Sequence, residues 1–335
     1  MVRQLFDEMP PGTRMQGDIP VGTMSSGANI ALPVTLIKGT TPGPCLWING
    51  QVHGAEVNGV VAAVEFGRRI DPESVTGSII ITPTANPLAL DNHSKTAPQD
   101  LLDLDQNFPG ETSGTVTGHL ANALFDQVRT MASCLVNLHT MGPIYSSEPY
   151  CIYKIWPGGK VTEAQLLRMT SYFWPSMACR RIDVGGTGEL PGNVDGALDY
   201  QCLARGIPAF MVELGQGSWY TPQNVELAVR GLMSLGRHLG ILSGEPVAPA
   251  KILRATRRQW IMVRKGGLFL STCDAKEIVP AGQLIGRVVT LKGEVVEEVR
   301  LQVDSFVIGI RRDPVVHTGD RIGLFATEWD SVGFE

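Results

Sequence analysis

The segment Cys45-Leu46-Trp47-Ile48-Asn49-Gly50-Gln51-Val52-His53-Gly54-Ala55-Glu56 sets the architecture of this chain. Its first four residues form a short apolar run with the length and composition of a buried strand. Gly54 lets the backbone turn, and valines then recur at helix spacing from Val57 to Val64 until Asp71-Pro72 ends the element. A strand, a polar turn and a helix in this order are the unit from which α/β domains are built.

Three more apolar runs have the same character and alternate with two further helical patterns. The runs cover residues 78–82, 133–138 and 209–212. One helix is predicted over 117–131, and another from Thr221-Pro222, a good N-cap and first-turn pair, to about Gly240. The alternation predicts an α/β domain with a mostly parallel sheet.

A polar side chain follows each of the four apolar runs. His53 and Glu56 follow the first, Asn86 follows the second, His139 ends the third and Glu213 ends the fourth. Open α/β sheets place their ligand crevice at the carboxyl ends of the strands. The agreement of four separate runs predicts one functional site at that edge of the sheet.

Two imidazoles and one carboxylate, from His53, Glu56 and His139, are the ligand set of a catalytic zinc site with an open fourth position. A lone His-x-x-Glu pair has little specificity, because helix starts often carry such residues. For His139 the structural alternative is a satisfied core histidine. An imidazole at the end of an apolar strand is nevertheless costly to bury without a partner. The three residues together predict a metal-dependent hydrolase with one Zn²⁺ per chain.

Glu213 is the predicted general base. It follows a buried strand, and Gly215 and Gly217 leave room around it. A salt bridge or a helix cap would be the structural explanation for a carboxylate there. The functional interpretation is that Glu213 takes a proton from the attacking water and delivers it to the leaving amine.

The chain changes character near residues 245–250. Residues 1–249 carry 15 basic and 22 acidic side chains, net −7, whereas residues 250–330 carry 13 and 10, net +3. The later part contains short β-type stretches, and the segments 279–286 and 316–323 share a Val-x-x-Gly-x-x-Ile-Gly pattern. We therefore predict an α/β hydrolase domain over 1–245 and a smaller all-β module with two similar halves over 250–330.

Bulk properties narrow the class of protein. The net charge of −5 argues against a nucleic-acid partner, and no apolar segment is long enough to span a membrane. The six cysteines show no Cys-x-x-Cys spacing and are expected to be reduced, buried thiols. The N-terminus has no apolar leader, so we expect a cytoplasmic protein that acts on a small-molecule substrate. The sequence leaves homo-oligomerisation open.

With these features the chain resembles the succinylglutamate desuccinylase/aspartoacylase family of zinc amidohydrolases, which is related to the zinc carboxypeptidases. The motifs that carry the resemblance are residues 43–50 leading into His53-Gly54-Ala55-Glu56, residues 77–81 with Asn86-Pro87, Phe108-Pro109-Gly110, His139, and Glu213-Leu214-Gly215. The resemblance implies a zinc-carboxypeptidase-like domain, in which helices flank a mixed, mostly parallel sheet, and a β-rich tail. It also implies the same zinc ligands and the same general base that the strand ends predict.

The departures from the family pattern concern the substrate. An Asn-Arg pair that usually holds a substrate carboxylate is replaced by Asp105 and Gln106, and an upstream arginine by Lys95. Without the guanidinium fork the bidentate hold on a carboxylate is lost. We expect Asp105, Gln106 and Asn86 to contact a substrate that carries no free carboxylate at this subsite. Lys95 is expected to stabilise the oxyanion as a point charge.

These observations predict hydrolysis of the amide bond in a small N-acylated molecule. The first alternative is a carboxypeptidase-like peptidase, which needs a cleft open along its length. A cleft capped by the tail and by residues 141–206 would favour a small substrate. The second alternative is a non-catalytic metal-binding or interaction protein, which would have no need of Glu213.

Overall fold

A computed structural model describes residues 2–181 and 194–334. In these residues the strands are β1 Thr13–Thr23, β2 Asn29–Lys38, β3 Thr41–Asn49, β4 Thr76–Thr82, β5 Cys134–His139, β6 Tyr145–Ser147, β7 Tyr150–Lys154, β8 Ala178–Arg181, β9 Ala209–Glu213, β10 Lys251–Met262, β11 Gly267–Ser271, β12 Ile278–Val279, β13 Leu284–Val289, β14 Val295–Arg300, β15 Ser305–Arg311, β16 Val315–Val316 and β17 Arg321–Gly333.

The helices of the same residues are α1 Val2–Glu8, α2 Val57–Arg69, α3 Pro87–Asp91, α4 Val116–Met131, α5 Glu163–Ser171, α6 Leu198–Leu203 and α7 Pro222–His238. Short 3₁₀ turns cover Pro72–Ser74, Leu104–Gln106 and Val194–Gly196. None of these helices is both long and apolar enough to cross a membrane.

The four strands predicted from the apolar runs lie next to one another in the order β4-β3-β5-β9, and all four are parallel. Antiparallel β2 and β1 continue the sheet beyond β4, and β7 and β8 continue it beyond β9. The sheet is therefore mixed, with its parallel part at the centre. This confirms the predicted α/β class.

Helices cover both faces of the sheet, and the alternation of side chains along each strand explains why. On β3, Leu46 and Ile48 pack in one core with residues of α2, α5 and α7. Cys45 and Trp47 point to the other face and pack with residues of α1 and α4. A strand with both faces buried has no polar positions to alternate with its apolar ones. That is why the run at 45–48 is apolar throughout.

Helix α2 forms where predicted, but its valines do not make the buried face. Val64 is 43% exposed, whereas the buried residues are Asn58, Gly59, Ala62, Ala63, Phe66 and Gly67. A Cβ on Gly59 would overlap the carbonyl oxygen of Gly50 at the end of β3. At Gly59 the helix lies so close to the sheet that no side chain fits between them.

A chain of buried amide and hydroxyl groups crosses the sheet just below the predicted site. The Thr82 hydroxyl donates to Asn49 Oδ1 over 3.1 Å, and Asn49 Nδ2 donates to Asn137 Oδ1 over 2.8 Å. The three residues lie on β4, β3 and β5 and are fully buried. Satisfied polar contacts of this kind hold three neighbouring strand ends in register.

The C-terminal part is β-rich, as predicted, but it is joined to the large sheet. Strand β10 pairs in parallel with β8, and β17, β15 and β12 extend the same sheet. Strands β14-β13-β11-β16 form a separate four-stranded sheet. The boundary between an N-terminal and a C-terminal domain stays a prediction, since one sheet passes through both parts.

The two Val-x-x-Gly-x-x-Ile-Gly segments adopt the same turn. Gly282 and Gly319 both have positive φ, at 79° and 88°. In each turn the backbone N–H that follows the glycine donates to the carbonyl three residues earlier. The valine before each turn and the isoleucine after it are buried in one core. All six cysteines are buried free thiols, as expected.

Candidate active site

The side chains predicted from the strand ends converge at one edge of the sheet. His53 and Glu56 lie in the turn between β3 and α2, and His139 is the last residue of β5. Glu213 is the last residue of β9 and lies opposite His139 in the parallel register. Parallel strands end at the same edge, so residues 160 positions apart become neighbours.

Gly54 has a different role from the one its position in the turn suggested. Its φ is not in the left-handed region. A Cβ at this position would overlap the backbone carbonyl of Ala89 in α3. Glycine is needed here because a second segment of backbone approaches the turn closely.

Glu56 bridges the two imidazoles. Its Oε1 lies 2.8 Å from His53 Nδ1 and its Oε2 lies 3.0 Å from His139 Nδ1. The same Oε2 accepts a hydrogen bond from the backbone N–H of Thr140 at 3.2 Å. All three side chains are at most 12% exposed. The arrangement is preformed and shielded from water.

The donor set fits a divalent metal ion. One ligand atom from each of His53, Glu56 and His139 lies within 4.8 Å of the others. Burial alone would raise the pKa of Glu56, but the two imidazoles outweigh it and lower that pKa to about 2. An ionised carboxylate and two imidazoles are ligands that zinc commonly has in proteins.

Asp103 is a site residue that the sequence analysis missed. Its Oδ1 lies 2.9 Å from His53 Nε2, and its Oδ2 lies 2.7 Å from Lys95 Nζ and accepts from Gln106 Nε2 at 2.9 Å. Burial would raise the pKa of Asp103, but His53 and Lys95 hold it well below its usual range. A carboxylate on the ring nitrogen that faces away from a metal orients the imidazole.

We expect Asp103→Asn to weaken zinc binding by about 10- to 100-fold, because the amide keeps an acceptor for His53 but loses the charge. The measurement is competition with a chromophoric chelator. Asp100→Asn is the matched control, since Asp100 lies in the same loop and its described contacts are with the N–H and hydroxyl of Thr117 and the N–H of Leu102, not with His53. Equal losses in both variants would mean that the loop, and not the His53 contact, sets the affinity.

Glu213 is buried, with 6% exposure. Its Oε2 has no hydrogen-bond partner in the described part of the chain. Burial raises the pKa of Glu213 to about 7, against the opposing field of His139. Among the described residues, no salt bridge and no helix-cap contact accounts for the burial of the Glu213 carboxylate. Its pKa suits a group that gains and loses a proton near neutral pH.

The site opens into a cavity of about 470 Å³, the size of a small-molecule pocket. Lys95, Asp105 and Gln106 line it together with Glu213 and with the triad of His53, Glu56 and His139. Asp105 is held by the backbone N–H of Leu198 at 3.4 Å, and burial raises its pKa. Asn86 does not line this cavity. Its side chain is buried and caps α3 by accepting from the N–H of Ala89.

The remaining wall comes from two parts of the chain. Residues between Met141 and Ile152 contribute as expected, together with Val194 and Ala197, while residues 182–193 lie outside the described part. Strands β10 and β17 contribute Arg258, Trp260, Arg321 and Leu324, which the sequence analysis did not identify. No sequence motif marks these four, because their position depends on how the tail packs.

Comparison with known proteins agrees with this geometry. The family model of the succinylglutamate desuccinylase/aspartoacylase catalytic domain matches residues 42–239. This stretch runs from β3 through α7 and contains every residue of the triad and Glu213.

Individual relatives extend the similarity to nearly the whole chain. The N-alpha-acetyl-L-2,4-diaminobutyric acid deacetylase of Halomonas elongata is 26% identical over 316 residues, which cover 92% of this chain and 89% of the relative. The product-bound ectoine utilization protein EutE (DoeB) from Ruegeria pomeroyi has a TM-score of 0.84 and 25% identity over 96% of this chain and 98% of its own. A succinylglutamate desuccinylase from Silicibacter sp. TM1040 has a TM-score of 0.83 and 25% identity, with the same coverage.

Proposed function

Because the chain belongs to the succinylglutamate desuccinylase/aspartoacylase family, we propose that it is a zinc-dependent amidohydrolase that removes an acyl group from a small N-acylated molecule. The observation that carries this proposal is the meeting of His53, Glu56, His139 and Glu213 in one cavity. The curated relative is a deacetylase, and the family name describes two further deacylations.

His53, Glu56 and His139 would hold the zinc ion. When bound there, zinc supplies a Lewis acid that polarises the amide carbonyl and lowers the pKa of a water from about 16 towards about 7. Asp103 fixes the orientation of His53, and the N–H of Thr140 fixes Glu56. These contacts keep the ligands in place before substrate arrives.

Glu213 moves the proton. In its ionised form Oε2 accepts a proton from the attacking water, and the same oxygen then donates that proton to the leaving amine nitrogen. The carboxylate is buried beside the triad and carries a pKa near neutrality, which suits both halves of this transfer. A site that only stored metal would gain nothing from an acid held in this state.

Lys95 is proposed to contribute positive charge at the mouth of the site. Its ammonium lines the cavity and lies 2.7 Å from Asp103, so its position is set by the same carboxylate that orients His53. From there it would stabilise negative charge that develops on the amide oxygen.

The shape of the cavity favours a small substrate over a peptide. Side chains of β10 and β17 and of the segment after β5 line the cavity beside the triad. A peptidase acting on chain ends needs a cleft that continues past the scissile bond. We therefore propose a deacylase and not a peptidase. We also propose a cytoplasmic location, in which six free cysteine thiols would stay reduced.

Asp105 favours a substrate that is cationic near the triad. The relative from Halomonas elongata acts on an N-acetylated diamino acid, which carries an ammonium group besides the amide. We propose an N-acylated diamino acid as the substrate class, with its ammonium near Asp105. No carboxylate would be bound at the Asp105–Gln106 subsite, because a buried carboxylate there repels one.

The double variant Asp105→Asn with Gln106→Arg is expected to lower kcat/KM on Nα-acetyl-L-2,4-diaminobutyrate at least about tenfold. A guanidinium would replace the amide that donates to Asp103 and would repel the substrate ammonium. Asp126→Asn with Gln127→Arg makes the same change on α4 and should leave kcat/KM unaltered. An increase in the first variant would contradict the subsite assignment.

The direct test of the function is acyl release by the zinc-loaded protein. Acetate release from a panel of N-acetylated amino acids, diamino acids and amines is followed as a function of zinc content. Turnover that rises in proportion to bound zinc supports the proposal. A fully loaded protein that cleaves no member of the panel, and no N-succinyl counterpart, would refute it.

A further inference from the structure

Two guanidinium groups lie in the wall of the cavity, although neither belongs to the family-model segment that holds the triad. Arg258 is on β10 and Arg321 begins β17, two strands that pair with each other. Trp260, two residues after Arg258 on the same strand, also lines the cavity. Since side chains two positions apart share a face of a strand, one face of this strand pair is turned towards the site.

Arg258 lines the same cavity as Glu213 and the triad. It is buried, with 6% exposure. Its charge acts on Glu213 and on Tyr150, whose side chain lines the same cavity. A cation in this position can contact the part of a substrate that extends away from the scissile bond.

Arg321 forms no ion pair with a carboxylate of the described residues. Its guanidinium lies 5.3 Å from the ring centre of Trp260. Burial lowers its pKa, so the charge is partly removed from water. A partly buried guanidinium that lies over an indole ring and lines a cavity can donate two parallel hydrogen bonds to an anion.

We infer that Arg258 and Arg321 bind the α-carboxylate of the substrate, so that the substrate is an N-acylated amino acid whose carboxylate points towards β10 and β17. This inference rests on the proposed function and refines it. Asp105 and Gln106 cannot bind the substrate carboxylate, and the two arginines of the C-terminal strands would bind it instead. One end of the cavity would then bind an ammonium and the other a carboxylate.

The inference is tested by binding, so that it does not depend on turnover. Zinc-loaded Glu213→Gln protein is titrated in a calorimeter with Nα-acetyl-L-2,4-diaminobutyrate and with its α-carboxamide. We expect the carboxylate to bind at least about tenfold more tightly than the carboxamide. Adding Arg321→Gln or Arg258→Gln should remove that preference and leave carboxamide affinity unchanged.

Arg257→Gln is the matched control, because Arg257 neighbours Arg258 on β10 but is 73% exposed and pairs with Glu328. It should change neither affinity. Arg258→Lys guards against misfolding at the buried position, since it keeps the charge and should retain part of the preference. Equal binding of both ligands to the parent protein, or an undiminished preference in Arg321→Gln, would overturn the inference. Preferential binding by the Glu213→Gln protein, together with no turnover by the zinc-loaded wild type, would instead refute the proposed function alone.

Discussion

Replacing Glu213 with glutamine is expected to reduce kcat by about 10²- to 10⁴-fold, the usual contribution of a general acid or base. Glutamine has nearly the same shape but cannot take a proton from water or return one to the amine. The buried position should accept the amide well, because burial already favours the neutral form of this carboxyl. Steady-state acetate release by zinc-loaded protein measures the effect.

Three observations separate a chemical role of Glu213 from a structural one. Zinc content and melting temperature should match the wild type, and Glu226→Gln, which removes a surface ion pair with Arg69, should keep full activity. The wild-type kcat/KM should fall as the pH drops below the pKa of Glu213, because only the ionised form accepts a proton. That pKa is about 7 without metal, and a bound cation would lower it. A variant that retains turnover within a fewfold of the wild type would remove Glu213 from the mechanism.

Replacing His139 with alanine is expected to abolish both zinc binding and activity. The change removes one of three ligands and leaves Oε2 of Glu56 without its imidazole partner in a buried site. Removing one partner of a buried ion pair costs on the order of 3–5 kcal/mol. His53 and the N–H of Thr140 still contact Glu56, so the loss should lie at the lower end of this range, and the variant should melt at a lower temperature. Elemental analysis of purified protein should find near-stoichiometric zinc in the wild type and little in the variant.

His119→Ala is the control for this experiment, because His119 lies on α4, outside both the triad and the cavity lining. It should keep its zinc. Chelation of the wild type should remove activity, and added zinc should restore it, whereas His139→Ala should not recover. A wild-type protein that stays metal-free with zinc supplied would disprove the metal-dependent mechanism.

The parts of the site that could be predicted are those that follow from local sequence. Each of these side chains lies at the end of an apolar run or in the turn that follows it, and parallel strands end at one edge. His53, Glu56, His139 and Glu213 could therefore be placed together without coordinates. Asp105 and Gln106 line the cavity, and their contact with substrate stays a prediction, whereas their neighbour Asp103, which contacts His53, was not predicted from the sequence. Nothing in a linear pattern shows which of two acids in one turn faces a residue 50 positions away.

Other features depended on close packing. The valines of α2 indicated a helix but not its buried face, since the helix lies so near β3 that glycine and alanine must fill the gap. Asn86 has the position of a site residue, yet its side chain caps α3, because the first turn of that helix offers it a free N–H.

The amino-acid sequence by itself determined the central parallel strands, the helices between them, and the meeting of His53, Glu56, His139 and Glu213 at one edge of the sheet. These follow from periodicity and from the polar residues at strand ends, which are local properties of the chain. Only the tertiary structure decided that β10 joins the large sheet and that Arg258 and Arg321 reach the cavity. Those contacts join residues some 200 to 270 positions from the first ligand, and their positions are set by side-chain packing across the whole molecule.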